Sequence, residues 1–129
     1  MKLSTQQQIF TQNVGLLIIK ANSLRVNLTF SEAYRTMEQQ DLYYYGNSIR
    51  VEDYHLELIS AKKRTNTLNS YHLKRLAVDF NFFVNGSLTY SHSLVRQLGC
   101  YWEQLHPLNR WGGHFTNFYD APHFEMAVL

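Results

Sequence analysis

Cysteine is almost missing from this sequence: its 129 residues include one, Cys100. A single thiol forbids an intramolecular disulfide and excludes both a disulfide scaffold and a cysteine-based zinc finger. Long apolar runs are missing as well, since stretches such as Leu16 to Ile19 are far too short to span a bilayer. The opening segment, MKLSTQQQIF, is polar after Lys2 and lacks the apolar stretch of a secretory signal. Nor is there a charge excess. Lys and Arg number 12 against 10 Asp and Glu, a net charge of +2, which is unlike the lopsided balance of a dedicated nucleic-acid binder. Repeats and biased tracts are absent beyond Gln6–Gln8. These absences leave a soluble, reduced chain made in a cytoplasm, without membrane insertion, and of the length of one ordinary domain over residues 1–129.

What is present suits a packed core. Apolar residues make up 45% of the chain and charged residues 17%, so there is no signature of disorder. Phe10, Val14, Leu17 and Ile18 recur at helical spacing between about Thr5 and Ala21, with glutamines and Asn13 on the other face. Leu94, Leu98, Trp102 and Leu105 make a second stripe from about Ser91 to His106, ended by Pro107. A shorter helix is predicted after Arg35, through Met37, Gln40, Asp41 and Tyr44, stopping at Gly46.

Strands complete the pattern. Val26, Leu28 and Phe30 alternate with polar residues, and Leu76, Val78, Phe80, Phe82 and Val84 share one face of a longer strand. Ala77, Asp79, Asn81 and Phe83 share the other, and Asn85-Gly86 predicts a hairpin turn. The segment HFEMAV alternates and is expected to close the sheet. Between Asn47 and Asn69 no period is convincing, and a long polar loop is expected there.

Six histidines in so short a chain invite a search for metal ligands. Two segments gather the right types: Ser70-Tyr71-His72-Leu73-Lys74-Arg75-Leu76-Ala77-Val78-Asp79, and Asp120-Ala121-Pro122-His123-Phe124-Glu125. Two imidazoles and one carboxylate are a common set for catalytic zinc, with water in the fourth position. His72 and Asp79 are an odd number of residues apart, so one straight strand would point them to opposite faces. Both can meet one ion only if the chain turns around Leu73 to Arg75. Taken singly, each residue also has a plain reading. A histidine is more often a surface or core residue; Asp79 could be a sheet-edge carboxylate, Asp120 a turn cap before Pro122, and Glu125 an exposed strand residue.

The first segment resembles the SxHxxGxAxD signature of the M15 family of zinc D,D- and L,D-peptidases. The second is similar to the family's carboxylate-x-x-His motif, in the DxxHFE form of phage endolysins that are L-alanyl-D-glutamate peptidases. Upstream, Glu32-Ala33-Tyr34-Arg35-Thr36-Met37-Glu38-Gln39-Gln40 resembles the family's YRxxxxQ segment, and Trp111-Gly112-Gly113 fits what small phage and prophage members carry. The likeness runs from about Phe10 to Phe124, in the expected order. One departure is visible: Arg75 stands where the signature has Gly, a residue that allows a tight backbone path.

The resemblance implies a hedgehog/DD-peptidase-like α+β fold, a small antiparallel sheet flanked by helices, with one zinc ion per chain. It makes His72, Asp79 and His123 the ligands, Asp120 the general base, and Arg35 a substrate-binding arginine beside the reacting carbonyl. Ser70 and Glu125 become outer residues that orient the ligands, and Gln39, Trp111 and His114 are weaker candidates for the substrate cleft. His55, His92 and His106 have no assigned role, and Cys100 is read as an inert buried thiol.

The implied function is zinc-dependent hydrolysis of a peptide bond in the stem peptide of bacterial peptidoglycan, as in an L-alanyl-D-glutamate endolysin of a phage or prophage. A D-alanyl-D-alanine carboxypeptidase or dipeptidase is the nearest rival. A non-enzymatic zinc-stabilised binding module of the same fold is another, although such a module needs neither Asp120 nor Arg35. Nucleic-acid binding through Lys62, Lys63, Arg64, Lys74 and Arg75 is the third, and solvation is the commoner fate of such a cluster. An enzyme of the cell wall without an export signal fits synthesis in the host cytoplasm and release through a partner's pore, a holin.

Overall fold

A computed structural model describes residues 1–65 and 67–128. Helix α1 (Leu3–Ser23) leads into strand β1 (Val26–Glu32), the short helix α2 (Met37–Tyr45) and a hairpin of β2 (Asn47–Glu52) and β3 (His55–Ser60). A 3-10 turn (Tyr71–Lys74) then enters β4 (Ala77–Val84), which turns into the two-residue β5 (Ser87–Leu88). Helix α3 (Ser93–Leu105), β6 (Asn109–Trp111), a second 3-10 turn (Gly112–His114) and β7 (His123–Met126) complete the chain. The main sheet is antiparallel with order β1-β4-β7-β6, and β5 pairs with the far end of β4. The expected α+β class, a small antiparallel sheet with helices against it, is the one observed.

Sequence spacing explains most of these elements. Thr36 caps α2 by accepting a hydrogen bond from the Gln39 backbone N–H, and Gly46 ends the helix at a φ of 71°, where an L side chain would be strained. Asn85 and Gly86 both have positive φ, as the two-residue turn between β4 and β5 requires. Helices α1 and α3 cover one face of the sheet. Phe10, Leu17, Trp102, Phe80, Phe82 and Phe124 are fully or almost fully buried there, with Phe124 edge-on to Trp102 at 5.8 Å between ring centres. Among the described residues, no helix is long and apolar enough to cross a membrane.

Three expectations need correction. On α1 the inward stripe is Phe10, Asn13, Leu17 and Ala21, while Ile18 is exposed. The helix is rotated relative to the expected face because α3 offers Trp102 to Phe10, and Asn13 is carried inward with it. The expected loop from Asn47 to Asn69 holds the β2–β3 hairpin, turned at Asp53 and Tyr54, both with positive φ. Asn66 of that span lies outside the described residues. The hairpin escaped notice because its turn is Asp-Tyr instead of Asn-Gly and because its apolar face, Ile49, Val51, Leu56 and Leu58, stays exposed. Cys100 is a half-buried free thiol, not a fully buried one.

Candidate functional site

The sheet face turned away from α1 and α3 builds the site. Strand β4 alternates, so while Val78 and Phe80 enter the core, Ala77 and Asp79 face the other way. Strand β7 pairs with β4 so that His123 lies directly opposite Asp79, and Glu125 opposite Ala77. On the next strand Arg110 is opposite Glu125, and on the far side Glu32 pairs with Asp79 across a register shift in β1. The sheet register alone therefore collects Glu32, Asp79, His123, Glu125 and Arg110.

His72 arrives by the turn that the odd separation demanded. The Ser70 hydroxyl accepts from the His72 backbone N–H (3.2 Å) and starts the 3-10 turn; Arg75 ends it in the left-handed region at φ 55°. That is the position where the signature has Gly. The arginine holds the same left-handed conformation, with its guanidinium stacked 4.0 Å above the Tyr34 ring. The turn delivers the His72 ring, almost fully buried, against Asp79.

His72, Asp79 and His123 each offer a ligand atom, and these atoms lie within 4.8 Å of one another. His72 Nε2 is 3.4 Å and His123 Nδ1 3.0 Å from Asp79 Oδ1. Ligand atoms around a tetrahedral ion with bonds of about 2.0–2.1 Å are separated by about 3.3 Å, so this donor set fits one metal ion. The other nitrogens face outward. His72 Nδ1–H donates to the Ala33 carbonyl (2.8 Å), leaving Nε2 bare, and His123 Nε2 is 3.6 Å from the Glu125 carboxylate.

Electrostatics follow from this crowding. Burial alone would raise the Asp79 pKa, but the hydrogen bonds and charge of His123 and His72 outweigh it and hold the carboxyl well below the usual range. Burial alone would lower the His123 pKa, but Asp79 and Glu125 push it up to about 9 in the metal-free protein. Asp120 is the exception. Its pKa is raised, chiefly by burial, and its carboxylate has no hydrogen-bond partner among the described residues.

A cleft of about 730 Å³ opens over these groups, lined among others by Arg35, Ser70, His72, Asp79, Asp120 and His123. Asp120 is pinned by its backbone: its N–H donates to the Gly112 carbonyl (3.0 Å), and its carbonyl accepts from His123 N–H (3.1 Å). Arg35 ion-pairs with Glu32 through Nε and donates from Nη1 to Gln40 Oε1 (2.8 Å). Glu125 is buried, not exposed, and pairs with Arg110 at 3.0 Å.

The weaker cleft candidates fare differently. Gln39 does not line the cleft; the helical turn directs Gln40, wholly buried, to Arg35 instead. Trp111 is a core residue whose Nε1–H donates to the Ala121 carbonyl (2.8 Å). His114 pairs with Glu103 at 2.7 Å in a neighbouring pocket and does not join the metal-ligand cluster. Sequence reasoning passed over Gln40 and Glu32 as partners of Arg35, and Arg110 as the partner of Glu125. The glutamine was legible in the spacing from Arg35; Arg110 had no signal, because its role depends on strand register.

Residues 63–126 match the peptidase family M15 in the branch described as D-alanyl-D-alanine carboxypeptidase. Over that span the chain belongs with the M15 peptidases. Its fold is similar to that of the Serratia marcescens L-Ala D-Glu endopeptidase ChiX, with a TM-score of 0.56 at 22% identity, over 79% of this chain and 68% of that one. No curated protein matches the sequence. Both segments that resemble the M15 motifs, Ser70 to Asp79 and Asp120 to His123, fall within the matched residues.

Proposed function

We propose that this M15 chain is a zinc peptidase that hydrolyses the L-alanyl-D-glutamate bond in the stem peptide of bacterial peptidoglycan, in the manner of a phage or prophage endolysin. One observation carries the reading: three metal-donor side chains converge in a cleft that also holds Asp120, a carboxylate without a hydrogen-bond partner among the described residues. His72, Asp79 and His123 would hold the zinc, whose contribution when bound is Lewis-acid polarisation of the scissile carbonyl and of water.

The chain's own groups account for the rest. Asp120 is half-buried and unpartnered, and burial raises its proton affinity, as suits a base that takes a proton from the attacking water and hands it to the leaving amine. Arg35 is held at Nε and Nη1 by Glu32 and Gln40, so its guanidinium enters the cleft preorganised to stabilise charge developing on the carbonyl oxygen. Ser70 fixes the backbone at His72, and Glu125 steadies the His123 ring from its outer side.

The likeness to ChiX favours the L-Ala–D-Glu bond, whereas the description of the matching family favours a terminal D-Ala–D-Ala bond. Digestion of purified peptidoglycan, followed by mass spectrometry, separates the two. New D-glutamyl amino termini are expected, lost with chelator and restored by zinc. Release of D-alanine alone would shift the assignment to a carboxypeptidase, and chelator-resistant digestion would overturn the zinc mechanism.

A further inference from the structure

The cleft holds two cations that the hydrolytic chemistry leaves unused. Lys63 and Arg64 line it, and neither has a carboxylate partner among the described residues. The other two arginines of the cleft are neutralised, Arg35 by Glu32 and Arg110 by Glu125. Of the acidic groups there, Glu32 and Glu125 are thus engaged, and Asp79 lies between the two histidines. The uncommitted charges of the cleft are Asp120 and the Lys63–Arg64 pair.

These two cations are mounted on an aromatic platform. Arg64 Cζ and Arg35 Cζ each lie 4.9 Å from the Tyr43 ring centre, and Lys63 Nζ lies 4.4 Å from that of Tyr44. The segment is tied down by backbone bonds from Arg64 N–H to the Tyr43 carbonyl (2.9 Å) and from Ala61 N–H to the Gly46 carbonyl (2.8 Å). Gly46 lets this approach happen, since a Cβ there would stand 3.1 Å from the Ala61 oxygen. A guanidinium already stacked on a tyrosine loses little freedom on binding, and its planar fork matches a carboxylate.

We propose that Arg64, seated on Tyr43 and assisted by Lys63, is the subsite that takes a carboxylate of the substrate peptide. The proposal rests on the peptidase reading above and adds a specificity determinant to it. Two carboxylates of a stem peptide share this chemistry: the free α-carboxylate of the γ-linked D-glutamyl residue and the chain-terminal one.

The test uses the full chain loaded with zinc and carrying Asp120→Asn, so that binding is read without cleavage. The probes are the pentapeptide L-Ala–γ-D-Glu–L-Lys–D-Ala–D-Ala, its glutamyl α-carboxamide and its C-terminal carboxamide, titrated by calorimetry. A charge-assisted contact of this kind corresponds to about 10- to 100-fold in affinity. One amide probe is expected to bind that much more weakly, identifying the carboxylate. Arg64→Gln should erase the difference between that probe and the parent, and Arg64→Lys should retain part of it. If neither amidation weakens binding, or if Arg64→Gln leaves the discrimination intact, the subsite is refuted. The same peptides offered to the protein without Asp120→Asn test cleavage separately: discrimination without hydrolysis overturns the peptidase reading and leaves the carboxylate subsite supported.

Discussion

A single methyl group should separate metal binding from catalysis in this site. Gly112 is buried, and a Cβ on it would lie 2.1 Å from the Asp120 carbonyl oxygen and 2.9 Å from the Asp120 Cβ. Ordinary contact begins near 3.4 Å, so Gly112→Ala forces the two segments apart by more than about 1 Å, and the atoms in the way are backbone that cannot swing aside. The separation strains the bond from Asp120 N–H to the Gly112 carbonyl and moves the proposed base relative to the metal ligands. Overpacking of this kind destabilises by about 1–3 kcal/mol. A misplacement of about 1 Å in a reacting group lowers the rate about 100-fold. His72 and Asp79 lie on other elements, and His123 is held by its pairing with β4, so one zinc per chain should still bind. The assay compares kcat on a synthetic stem peptide, zinc stoichiometry and urea unfolding. A control is Gly15→Ala: that position is exposed in α1 with nothing within 4 Å, and the change should stabilise by about 0.5–1 kcal/mol. A folded Gly112→Ala protein with unchanged kcat would refute the positioning of Asp120 by Gly112.

Asp120→Asn is expected to lower kcat about 1,000-fold while zinc remains bound, a result checked by peptide hydrolysis and metal analysis together. Zinc affinity should rise with pH towards about 9, because His123 is raised to that value in the metal-free protein and must shed its proton to ligate. The sign reverses for stability without metal. A raised histidine pKa stabilises the fold fully below the unfolded value near 6.5, so thermal unfolding in chelator should show stability falling as pH climbs through about 9. Arg75→Ala keeps the left-handed strain and loses the stack on Tyr34, whereas Arg75→Gly relieves the strain. Glycine should therefore be the more stable of the two variants by about 1 kcal/mol in urea unfolding, and a more stable alanine variant would contradict this.

The legible parts of the sequence were those with a local cause. The alternation in β4 placed Asp79 opposite the core face, the odd separation from His72 required a turn, and Arg75 supplied it with a positive φ. Gly46 and Asn85-Gly86 marked their element ends through backbone chemistry that neighbouring residues do not alter. The β2–β3 hairpin was less legible, because the apolar face that would have betrayed a strand pair is left largely exposed. Ile18 and Asn13 were misplaced because a helix's own period does not say which of its stripes meets Trp102.

By itself, then, the sequence determined which residues could turn, cap, alternate and donate to a metal, since these depend on side-chain type and spacing along one chain. Tertiary structure decided who meets whom. Register between β4 and β7 set Asp79 against His123, and β6 brought Arg110 to Glu125. Packing of α2 against the segment before Ser70 set Arg64 on Tyr43. These contacts join residues far apart in the chain, and their geometry is fixed by the competition of every buried surface at once, which no local spacing records.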